Sequence, residues 1–325
     1  MIAKISFLLY RVFVEKQVLN FEEILTECGV FNEPPQSAIQ KLSSLDEFYS
    51  NSDVCSIYNY ILLNIQNAEI LLGVVKLCDK YKSSEALEII TNILVKKITF
   101  PDSQDMVTAL RALCAKVIAR YKNKDSVGAL LFCLNNKDED YKVRLACADA
   151  LGRIGDRYAV NSLINIVEDE EEKSVYVKES ATFALGLLGD SNAIEPLVKI
   201  LESKQNFLGK FSFLKEKIVE ALGKLNINNK KVLKVLKNSL YDSSPMVRIN
   251  AIEALMNSEY DEAETLIRNS LKDEDTEVQR NALIALYNLI GRDILDEVIS
   301  LPSYSNFLKS EAQIMIEEYE DGIDE

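Results

Sequence analysis

Six cysteines, a run of five consecutive carboxylates and two Gly-x-x-Gly segments are the features of this 325-residue chain whose types and spacing invite a chemical reading. Cys28, Cys55, Cys78, Cys114, Cys133 and Cys147 are never closer than 14 residues, so no CxxC pair exists for zinc or a redox dithiol. Histidine is absent, and with it the usual general base and the commonest metal ligand near neutral pH. Tryptophan is absent too. The run Glu168-Asp169-Glu170-Glu171-Glu172 lacks the D-x-[DN]-x-[DN]-G spacing of a calcium loop. It reads as a solvated face, with a basic partner as the other reading, and no metal is expected. Gly152 to Gly155 and Gly186 to Gly189 are not followed by the Lys-Ser or Lys-Thr of a phosphate-binding loop, so they read as helix ends. No catalytic residue is expected from these patterns.

The elements that carry these residues are helices, because 11 glycines and 6 prolines leave few breaks for sheets or long loops. With 37 basic against 51 acidic residues, the net charge of −14 opposes binding to nucleic acid. A hydrophobic content of 48% excludes disorder over most of the chain. No apolar run approaches the roughly 20 residues of a membrane-spanning helix. The stretch Met1 to Arg11 reads as a helix, since no small-residue cleavage site follows it. The unpaired cysteine pattern suits a reducing compartment, and a cytoplasmic location is expected.

Aligning the chain on itself sets the fold. Ala150-Leu151 recurs as Ala184-Leu185, Ala221-Leu222, Ala254-Leu255 and Ala285-Leu286, at spacings of 34, 37, 33 and 31. Upstream by 33, Leu110 to Leu134 aligns without a gap on Val143 to Val167, and a weaker unit covers about residues 68–98. Three columns spaced by four residues define one helical stripe. They are Leu110, Val143, Val177, Leu214, Val247 and Val278; then Cys114, Cys147, Ala181, Ile218, Ala251 and Ala282; then Ile118, Leu151, Leu185, Leu222, Leu255 and Leu286. The middle column is mostly small, so Cys114 and Cys147 read as inert core residues that let neighbouring helices approach. A second helix follows each first one, and Gly155 and Gly189 mark turns between them.

A basic residue follows the first column (Arg111, Arg144, Lys178, Lys215, Arg248), and an acid stands five positions before it (Asp138, Glu172, Asp242, Asp273). That pattern predicts a ladder of charge-assisted hydrogen bonds between units. Single hairpins cannot bury their apolar faces, so the expected architecture is all-α: a right-handed α–α superhelix, a solenoid of six to seven stacked hairpins. Residues 1–67 are expected to cap one end, with breaks at Asn32 to Ser37 and Ser50 to Asp53. Residues 68–303 form the repeats, and 304–325 a closing helix with an acidic tail.

The units Val143-Arg144…Ala150-Leu151-Gly152-Arg153-Ile154-Gly155-Asp156 and Val177-Lys178…Ala184-Leu185-Gly186-Leu187-Leu188-Gly189-Asp190 resemble HEAT repeats of the phycobilisome-lyase-like type, over about residues 106–292. The resemblance implies an armadillo-type fold and, for some members, attachment of bilins to phycobiliprotein cysteines or handling of phycobilisomes. Other members are protein-binding scaffolds. The repeat motif is architectural and carries no catalytic residue across. A bilin pocket would need aromatic walls with Arg, Lys or His donors, and here His and Trp are missing while Tyr and Arg remain. A DNA glycosylase on similar repeats would need a basic groove, which the acidic balance opposes.

The long 37-residue spacing marks an insertion, Ser203 to Leu214, with Phe207, Lys210, Phe211 and Phe213. It reads either as an exposed interaction hot spot or as phenylalanines folded back over adjacent hairpin ends. The second helices present Asn161, Asn165, Glu168, Glu195, Lys199, Glu202, Arg268 and Asn269, a mixed polar face suited to protein. The expected function is a non-catalytic scaffold or assembly factor. It would bind another protein through its concave face and the Phe-rich loop, using Asn161, Asn165, Lys199 and Arg268, and would need no cofactor. The alternative is a bilin lyase or phycobilisome factor with a linear tetrapyrrole as cofactor and a phycobiliprotein subunit as partner.

Overall fold

The computed structural model describes residues 19–95, 103–202, 212–225 and 228–321. Among the described residues the ordered elements are α-helices and short 3₁₀ turns. The chain forms two compact units, residues 1–156 and 157–325.

In the first unit α1 (Phe21–Glu27) and α2 (Pro35–Ser43) precede α3 (Asn51–Asn64). The expected breaks fall at helix starts: Pro35 takes the first helical position, and the Ser50 hydroxyl accepts from the Asp53 amide as an N-cap. Then come α4 (Ala68–Tyr81), α5 (Ser84–Val95), α6 (Gln104–Tyr121), α7 (Val127–Asn135) and α8 (Tyr141–Ile154). Helices α2 and α3 pack on α4, where the buried Tyr58 donates to the Leu42 carbonyl at 2.8 Å. First helices α4, α6 and α8 stack in one layer, and second helices α5 and α7 in another. The weak unit at residues 68–98 is thus the hairpin α4–α5 over its described part.

The second unit continues the alternation. Its first helices are α10 (Val175–Leu188), α12 (Ser212–Lys224), α14 (Pro245–Met256), α16 (Thr276–Ile290) and α18 (Asn306–Asp321). Its second helices are α9 (Val160–Glu168), α11 (Ile194–Glu202), α13 (Lys230–Ser239), α15 (Ala263–Asn269) and α17 (Asp293–Ser300). Each of α10, α12, α14 and α16 packs on the next first helix, while α9, α11 and α13 contact in series in the other layer.

The three columns are the core, for none of their residues is more than 1% exposed. They extend one helix further at each end, as Ile70, Val74 and Cys78 on α4 and as Leu308, Ala312 and Ile316 on α18. Small residues beside the columns set the helix separation. A Cβ on Gly186 would stand 3.0 Å from the Ala221 Cα, and one on Gly223 would stand 2.6 Å from the Ala254 Cβ. Gly155 and Gly189 end α8 and α10 at φ of 79° and 63°, the left-handed cap expected from sequence. Lys122 takes the same cap position after α6 at φ 52° despite its side chain.

The basic column forms the expected ladder. Arg111 Nε and Nη2 donate to the Leu94 carbonyl at 2.9 and 2.7 Å, Arg144 Nε to Leu134 at 2.9 Å, and Lys178 Nζ to Val167 at 3.2 Å. Each acceptor is the penultimate residue of a second helix, where carbonyls lack an intrahelical partner. Carboxylates complete the ladder. Arg111 also holds both oxygens of Glu139 at 2.7 Å, Lys215 pairs with Asp242, and Arg248 clamps Asp273 at 2.9 and 2.7 Å. The acid opposite Arg111 is therefore Glu139 and not Asp138. Arg248 Nη1 and Gln279 Nε2 bond the backbone carbonyls of Asp242 and Asp273 in the turns, at 2.7 and 2.6 Å.

Candidate protein-binding surface

Burial decides which charged residues can meet a ligand. Arg111, Arg144, Lys178 and Arg248 are buried in the ladder and serve the stack. Burial pushes the Lys178 ammonium below the usual lysine range. Glu172 corrects the reading of the acidic run as solvated: it is buried, its carboxylate accepts from the Ser174 amide at 2.9 Å, and only its neighbours Glu168, Glu170 and Glu171 face solvent. Cys114 is fully buried and its thiol is pushed up, as are Cys28 to about 11 and Cys78 to about 12, so these thiols are poor nucleophiles.

Exposed charges pair with one another across the second helices of residues 157–325. Helix α13 reads Lys230-Lys231-Val232-Leu233-Lys234-Val235-Leu236-Lys237, which buries Val232, Val235 and Leu236 and sends its lysines outward. These lysines meet acids of neighbouring repeats. Lys231 Nζ reaches both carboxylate oxygens of Glu195 at 2.6 and 2.8 Å, Lys234 reaches Glu202 at 3.0 Å, and Lys237 pairs with Glu262. Lys199 lies 3.6 Å from Glu168, and Arg268 is held by Glu264 and Glu297 at 2.9 Å each. Between α11 and α13 a groove of about 520 Å³ is lined by Glu195, Val198, Lys199, Glu202, Lys231 and Lys234. The pairs that line it are exposed, so each is worth no more than about 1 kcal/mol and exchanges readily for a partner's charges.

Of the residues singled out from sequence, Lys199 lines this groove. Asn161 and Asn165 are exposed on α9, outside the groove lining, and Arg268 is half-buried on α15 within its ion pairs. Phe213 stands 68% exposed in the first turn of α12 and does not fold back over the hairpins. Phe207, Lys210 and Phe211 lie outside the described residues. Sequence reasoning missed Lys231 and Lys234, although their three-residue spacing on a strongly amphipathic helix was a visible signal. No helix among the described residues is long and apolar enough to cross a membrane.

Fold and surface together define a helical-hairpin repeat protein with an exposed, charge-paired groove. The HEAT-repeat family matches residues 103–175, 214–287 and 233–301, and the PBS lyase HEAT-like repeat matches residues 177–203, which are α10 and α11 with the turn between them. The chain belongs to the HEAT-repeat proteins.

Among solved structures it is similar to the CpcE–CpcF complex of phycocyanin lyase from Nostoc sp. PCC7120, at 22% identity and a TM-score of 0.46, over 71% of this chain and 94% of that one. It is similar to an engineered protein at 18% identity and a TM-score of 0.49, over 90% and 87%. A mutant of Kap121p gives 11% identity and a TM-score of 0.49, over 92% of this chain and 41% of that one. No curated protein matches the sequence.

Proposed function

We propose that the chain is a protein-binding scaffold or assembly factor whose second-helix layer in residues 157–325 receives its partner. The observation that carries this reading is the groove between α11 and α13, whose three lysines and two glutamates are engaged only in exposed, weak pairs. The buried column residues of 157–325 support that surface, and alternating charge selects a partner of complementary pattern. Six free cysteines support a reducing, cytoplasmic setting. A second reading, the handling of a bilin or a phycobiliprotein, is supported by the type of the repeat at residues 177–203, which supplies the α11 wall of the groove.

Affinity capture from the soluble extract of the source cell, with wild-type protein and a Lys231→Glu/Lys234→Glu variant as baits, tests the proposal. A specific protein retained by the wild type and lost by the folded variant supports it. Equal retention by both baits, or none by the wild type, overturns it. A visible absorbance band in the eluate separates the bilin reading from the scaffold.

A further inference from the structure

A different edge of the second unit carries a row of exposed apolar side chains. Tyr176, Phe213 and Met246 each occupy the second helical position of successive first helices, α10, α12 and α14, and are 56%, 68% and 49% exposed. Because α10 packs on α12 and α12 on α14, the three side chains stand in line, spaced by helix separations of about 10 Å each. Tyr241, 77% exposed in the turn leading to α14, adds to this edge.

Local helix stability does not explain these residues. The first turn of a helix favours an acidic side chain through the macrodipole, and α16 has Glu277 at the same position. Three consecutive repeats instead present Tyr, Phe and Met, which gain little burial there. Large apolar side chains left about half or more exposed at equivalent positions of successive repeats form a contact surface.

The surroundings set the chemistry of what covers the row. The turn before α10 exposes Glu170 and Glu171, the turn before α16 exposes Glu274, and Glu277 continues the row itself, against Lys173 and Lys272 as the exposed cations among the described residues of these turns. Apolar anchors rimmed by carboxylates suit a partner with apolar residues flanked by Lys or Arg. A spacing of about 10 Å corresponds to roughly seven residues of an α-helix, two turns, so one apolar stripe can touch all three anchors. We infer that this edge docks a basic amphipathic helix of a partner protein, laid across the N-terminal ends of α10, α12 and α14. The inference stands apart from the groove, which lies in the other helix layer.

The test uses the full chain and a synthetic probe. A fluorescein-labelled, helix-forming peptide of roughly 20 residues, with a leucine stripe at heptad spacing and lysines beside it, is titrated and followed by anisotropy. The expected result is saturable binding that a Tyr176→Ser/Phe213→Ser/Met246→Ser variant weakens by about tenfold or more. Glu274→Lys/Glu277→Lys should weaken it too, and Lys231→Glu/Lys234→Glu should leave it unchanged, which separates this edge from the groove. The inference is overturned if the wild type gives no saturable binding, if the triple variant binds as the wild type does, or if a peptide with glutamates in place of lysines binds equally well. Circular dichroism of each variant confirms the fold.

Discussion

Replacing Arg111 by methionine removes four hydrogen bonds at one stroke: two to the Leu94 carbonyl and two to the Glu139 carboxylate. Both side chains of the pair are only 6% exposed, so solvent cannot take the place of the guanidinium. What remains is a buried carboxylate whose Oε1 accepts only from the Asp140 amide at 3.0 Å, and a helix-end carbonyl with the Cys133 thiol at 3.7 Å as a weak donor. Removing one partner of a buried ion pair costs about 3–5 kcal/mol. At about 2–4 °C per kcal/mol, the unit should melt on the order of 10 °C lower. Urea unfolding followed by circular dichroism measures the loss. A second change, Glu139→Leu, removes the stranded charge, so the double variant should regain more than half of it. The reasoning is refuted if the single variant stays within about 0.5 kcal/mol of wild type, or if the double variant is no more stable than the single one.

Leu255, fully buried in the third column, should cost about 2–5 kcal/mol when cut to alanine, with amide exchange rising first in α14 and its neighbours. Lys122→Gly relieves a left-handed cap with φ of 52° and should stabilise by up to about 1 kcal/mol in chemical unfolding; Gly189→Ala, at φ 63° with open space around it, should lose a similar amount. Hydrogen bonding to Arg280 holds the Glu311 carboxyl below the usual glutamate range, so the link from α16 to α18 contributes stability above the ordinary carboxylate pKa and loses it as pH falls through the lowered one. Acid titration of α18 amide exchange should show that loss, and Glu311→Gln should abolish this acid dependence.

The periodic core was readable because steric demand repeats. A spacing of four with a small middle residue admits one packing, and Val143, Cys147 and Leu151 are buried with their equivalents as the alignment requires. The ladder was readable in kind but one residue off at Glu139, because a turn can present either of two adjacent acids to the next guanidinium. Glu172 was misread because its run looks uniformly solvated. Only the three-dimensional turn shows that one of the five carboxylates folds inward. The groove was the least legible feature, since it joins side chains 36 residues apart, Glu195 and Lys231, that no local pattern links. The apolar row was implicit in the alignment, since Tyr176, Phe213 and Met246 each precede the first column, but the exposure of all three is a property of the folded stack.

The most direct measurement of the central claim is photo-crosslinking in source-cell extract, with a photoreactive residue placed at Glu202 beside the groove and, as control, at Asn257 on the first-helix layer. The scaffold account predicts one specific protein crosslinked from position 202 and not from 257. Crosslinks from 257 alone, or from neither position, would contradict it.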